Sequence, residues 1–82
     1  MTVCGRGGTD FQAIFDFIAE NRTYDGLIIL TDGYAPEPEI GERHTVALRC
    51  TKVLWICPEE REYNDHHVWM EKTGRACWME LQ

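Results

Sequence analysis

Long apolar runs are missing from this chain of 82 residues, and stretches such as Leu27 to Leu30 fall far short of the roughly 20 residues that span a bilayer. No basic-then-apolar leader opens it, so the expected location is the cytosol and no membrane partner is expected. The four cysteines contain no C-x-x-C, and Cys57 and Cys77 sit in strand-like runs beside tryptophans, which reads as buried thiols rather than a disulfide framework. Basic residues are few, eight against fourteen acidic, and form no cluster on any predicted face, which argues against nucleic-acid binding. Nucleotide loops fail letter by letter. G-x-x-x-x-G-K-[ST] is absent, and the G-x-G-x-x-G frame that opens at Gly5 ends on Asp10, whose carboxylate would repel a pyrophosphate. Asp10 also stands where a phosphatase loop starting at Cys4 would need its arginine.

What remains is ordinary for a folded domain: 44% hydrophobic and 27% charged residues, with three Trp, three Phe and three Tyr to build a core. At this length there is one domain, spanning 1–82, and its core is thin. The formal charge of −6 fits a solvated acidic surface.

Phe11, Ile14, Phe15 and Ile18 recur at i, i+3, i+4 and i+7, which predicts an amphipathic helix over Asp10 to Asn21. Thr9 is its expected N-cap, with Gln12 completing a capping box. Leu27 to Leu30, bounded by glycines, predicts a strand covered on both faces. Pro36 and Pro38 exclude helix from the start of the long connection that follows, and a short helix is expected within Glu42 to Thr51. Lys52 to Cys57 is the second strand. Glu59 to Asn64 reads as a charged loop, Asp65 to Lys72 as two helical turns broken by Gly74, and Arg75 to Leu81 as the last strand. The alternation predicts an α/β fold with about three mostly parallel strands and flanking helices.

An aspartate directly after a buried parallel strand lies at the carboxyl edge of the sheet, where open α/β sheets bind ligands. Asp32 is such a residue, and Thr31 and Asp32 offer the hard oxygens that Mg²⁺ prefers, although an Asp-Gly pair is also an ordinary turn. The glycines of Gly5 to Asp10, leading into a helix, leave room for a ligand or another backbone.

GGTDF at Gly7 to Phe11, LIILTDGYAP at Leu27 to Pro36 and KVLWI at Lys52 to Ile56 together resemble the C-terminal half of von Willebrand factor A-like (VWA-like) domains. More narrowly, the chain is similar to the VWA-like domain at the C-terminus of bacterial metallopeptidase-like proteins. The resemblance implies a partial, Rossmann-like layered fold and a metal-ion-dependent adhesion site in which Thr9 and Asp32 are ligands to Mg²⁺ or another divalent metal. It implies a non-enzymatic interaction module, with a protein partner or an upstream domain of a parent protein. The family's Asp-x-Ser-x-Ser loop has no counterpart, because the chain contains no serine. Weak or absent metal binding is therefore expected, as is a truncated piece of a longer protein. With the first strand of the family order missing, the edge of the Leu27–Leu30 strand is expected to stand open and to permit a homodimer, unless Met1 to Cys4 folds over it.

The rival reading is an accessory segment of a zinc metallopeptidase; a purely structural fragment is the third. No H-E-x-x-H holds His44, His66 or His67, and the adjacent His66 and His67 point to different sides of a helix. No spacing pairs Asp16, Asp25, Glu37 or Glu39 as acid and base, so these are expected to face solvent. Trp55, Trp69 and Trp78 are expected in or over the core.

Overall fold

The computed structural model describes residues 1–5, 10–21 and 23–80. Strands β1 (Thr2–Gly5), β2 (Gly26–Thr31), β3 (Lys52–Cys57) and β4 (Arg75–Trp78) alternate with helices α1 (Phe11–Glu20), α2 (Glu42–Leu48) and α3 (Glu60–Met70). The sheet is parallel throughout, in the order β1-β2-β3-β4. This is a repeating β–α fold of the Rossmann-like, VWA-like class. No helix among the described residues is long and apolar enough to cross a membrane.

α1 forms where its periodicity predicts. Phe11, Phe15 and Ile18 are fully buried against Leu27 and Ile29 of β2 and Val53, Trp55 and Cys57 of β3, with Met70 of α3 closing the same cluster. Each large apolar side chain removed from water there contributes about 2–3 kcal/mol. Trp55 is the centre: Phe11 meets it edge-on at 5.1 Å, Trp69 edge-on at 5.2 Å, and Phe15 stacks at 6.0 Å. Its indole N–H donates to Thr73 Oγ1 at 2.9 Å, so the buried polar atom is satisfied.

Several expectations are corrected. Among the described residues there are four strands where about three were expected: Thr2–Gly5 pairs with β2 from Thr2 opposite Ile28 to Gly5 opposite Thr31. The β2 edge is therefore closed, and the terminal amine adds a bond to Gly26 O at 2.9 Å. Four residues are too few to show a period, and their partners lie some 25 positions away. α3 starts at Glu60, absorbing most of the expected charged loop; Glu60 and Glu62 favour a helix start because carboxylates complement the partial positive charge of the first turn. α1 is capped by Asp10, which accepts from Gln12 N at 3.0 Å; Thr9 lies outside the described residues. Gln12 instead binds Asp16 and the Glu39 backbone. α2 ends at Leu48 and β4 at Trp78, each short of its predicted limit. Trp78 is 42% exposed rather than in the core.

The crossovers all place their helices on one side. Side chains alternate across a strand, so Val3, Leu27, Ile29, Val53, Trp55 and Ala76 face the helices. Over the opposite face, with Cys4, Ile28, Leu30, Leu54, Ile56 and Cys77, no helix lies among the described residues.

Candidate functional site

The carboxyl edge of the sheet is where the loop after β2 meets the start of α3. Thr31 is buried and its Oγ1 accepts from Gly33 N at 3.1 Å, while one Asp32 carboxylate oxygen accepts from Tyr34 N at 3.0 Å. The Asp-Gly pair is thus a side-chain-capped turn as well as an edge loop. Gly33 is required twice over. Its φ is +85°, and a Cβ there would meet His66 Cδ2 at 2.4 Å.

His66 packs against Gly33 and edge-on to Tyr34 at 5.2 Å. Its Nδ1 accepts from Trp69 Nε1 at 3.3 Å, which leaves the proton on Nε2, a buried atom with no partner among the described residues. His67 turns elsewhere, stacking on Tyr63 at 4.8 Å and reaching Glu71 at 3.2 Å, so the two histidines diverge as their adjacency requires.

Glu62 is the unexpected member. It is 7% exposed and takes part in no hydrogen bond or ion pair among the described residues. Burial, then the charges of Glu59 and Asp32, push its carboxyl above the usual range, against smaller opposing effects of Arg61 and His66. The neighbouring Cys57 thiol is pushed up to about 11, chiefly by burial and then by Glu62, Cys77 and Asp32. Burial is the first cause of both shifts, and the acidic neighbours at this edge add to it.

Glu62 is not legible as a site residue while Glu59 to Asn64 reads as a charged loop. The spacing Glu62, His66, Trp69 and Met70, at i, i+4, i+7 and i+8, is a helical face and was the available signal.

The predicted ligands Thr9 and Asp32 cannot both be placed, since Thr9 lies outside the described residues. Among the described residues no group of three or more His, Cys, Asp or Glu side chains is placed to hold a metal ion. Asp32 alone does not make a divalent-ion site, because Mg²⁺ takes six oxygens in near-octahedral array.

The other carboxylates divide. Asp25, Glu37 and Glu39 are exposed as expected, although Glu37 binds Lys72 at 3.0 Å. Asp16 is not simply solvent-facing: its Oδ1 accepts from His44 Nε2 at 2.6 Å and Arg43 at 3.0 Å, clamping α1 to α2.

No family model, no curated protein and no solved structure matches this chain.

Proposed function

We propose that this chain is a non-enzymatic interaction module of the VWA-like type found at the C-terminus of metallopeptidase-like proteins, and that it binds a protein partner at the carboxyl edge around Asp32. The observation that carries the reading is the pair of carboxyls at that edge: a half-buried Asp32 and a buried Glu62 that makes no hydrogen bond or ion pair among the described residues. Such an edge favours a cation between module and partner, either a basic side chain or a divalent ion. A divalent ion would bind Asp32 and draw its other oxygens from water, the partner and the Gly7–Asp10 loop, Thr9 among them.

Titration of MgCl₂ or MnCl₂ into the ¹⁵N-labelled chain tests the ion. The reading expects saturable amide shifts or line broadening at Thr31 to Tyr34 at millimolar metal, abolished in Asp32→Ala. Absence of any local response at millimolar metal overturns the divalent-ion form.

A further inference from the structure

A parallel sheet is ordinarily covered on both faces, because its apolar side chains project both ways. Here three successive β–α units place α1, α2 and α3 over the same face. On the other, Ile28 is 37% exposed, and Cys4, Leu30, Leu54 and Cys77 all reach the surface. Ile56, between them on the same face, is 8% exposed.

The charges on this face are segregated. Lys52 shares the strand parity of Leu54 and Ile56 and projects from the open face at its amino edge, while Arg75, opposite Leu54, projects from the same face beside its apolar centre. Both are exposed, and neither enters an ion pair among the described residues. A depression at that edge is lined by Ile28, Lys52, Leu54 and Arg75. A second depression, at the carboxyl edge, is lined by Cys4, Leu30, Asp32 and Ile56. Lys52 thus stands at the amino end of the face and Asp32 at the carboxyl end, with the apolar side chains between them.

We infer that the open sheet face is a self-association surface, on which a second copy of this chain packs face to face with its strands antiparallel. A two-fold axis lying between the sheets and across the strands superposes the apolar centres. It also brings Lys52 of each copy, at the amino end of β3, toward Asp32 of the other, at the carboxyl end of the neighbouring β2. The alternative two-fold, along the strands, would bring like charges together and is disfavoured by the same groups. Sheets stack in this way about 10 Å apart.

The size of the face sets the strength. Its outer strands are about 14 Å apart, so the total buried area falls below about 1,200 Å², in the range of transient complexes. The dimer is accordingly micromolar or weaker. The overall charge of −6 per copy opposes it at low salt, and an ionic strength of about 0.15 M, with a screening length of about 8 Å, relieves that long-range repulsion.

Sedimentation equilibrium from micromolar to millimolar chain, at that ionic strength and with EDTA present, tests the inference separately from the divalent-ion reading. The expected result is a concentration-dependent approach to twice the monomer mass. Leu54→Glu should raise the dissociation constant by about tenfold or more, the effect of losing about 1.4 kcal/mol.

A charge exchange then reads the orientation without touching the apolar centre. The Lys52→Glu chain and the Asp32→Lys chain should each stay monomeric, and an equimolar mixture should form a heterodimer. Far-ultraviolet circular dichroism confirms that each variant is folded. A wild-type chain that stays monomeric throughout overturns the inference and leaves the face for the apolar surface of a different protein. So does a dimer indifferent to both Leu54→Glu and the charge changes, which would place association at the β1 or β4 edge.

Discussion

His44 binds Asp16 through Nε2 at 2.6 Å while its Nδ1 accepts the Gly41 N–H at 2.9 Å, so one buried imidazole joins two helices and caps the start of α2. With Nδ1 accepting from a backbone amide, the ring is neutral and its proton lies on Nε2. His44→Ala should therefore destabilise the chain by about 1–3 kcal/mol, by removing a buried ring together with its bonds to Asp16 and the Gly41 amide. Urea unfolding measures the loss.

The same contact gives stability an acid limb. The hydrogen bond from His44, then that from Gln12, with Arg43 nearby, hold the Asp16 carboxyl below its ordinary value of 3.8. A depressed folded value means the contribution is fully present above 3.8 and is lost as pH falls through the lower folded value. In Asp16→Asn that limb should flatten relative to wild type in urea midpoints measured across the acid range.

Glycine substitutions should separate sharply by position. A Cβ at Gly74 would lie 2.1 Å from Val53 O and 2.8 Å from Val53 C, both backbone atoms of β3 that cannot move without disturbing the ladder. At Gly26 the nearest atom, Lys52 O, is 3.8 Å away, an ordinary contact. Gly74→Ala should cost about 2 kcal/mol or more, while Gly26→Ala should be close to neutral. Thermal melts of the two variants check the contrast.

Thiol reactivity should sort by burial. Cys4 and Cys50 are exposed and should alkylate in the native state, whereas Cys57 is fully buried and should react only on unfolding. Mass spectrometry after a brief iodoacetamide pulse distinguishes them. Because the Cys57 value is raised from 9.0 to about 11, its contribution to stability is complete below pH 9 and declines as pH rises toward 11.

Trp55→Ala should unfold the protein or nearly so. It removes the side chain that Phe11, Phe15 and Trp69 surround, and such truncations cost about 3–5 kcal/mol. Tryptophan fluorescence with near-ultraviolet circular dichroism reports the outcome. Trp78→Ala, at an exposed position, is the control and should change stability little.

Local pattern was sufficient for α1, β2 and β3, whose positions follow from residues within a dozen places of one another. Phe11, Phe15 and Ile18 repeat with the helical period, and the runs at Leu27 and Lys52 are apolar enough to be buried strands. Asp32 at the carboxyl edge followed from the same reasoning, because a parallel strand's end determines which rim its next residue occupies.

Non-local contacts governed the rest. Thr2–Gly5 is a strand only because β2 offers it hydrogen bonds, and no property of four residues announces that. Glu62 reads as a soluble surface residue until the packing of α3 over the sheet removes its water. Whether one face of the sheet or both would be covered depends on the order in which parallel strands lie side by side. That order follows from how three crossovers fit around a shared core, since composition reports how much surface must be buried and only the chain path through space determines which side receives the helices.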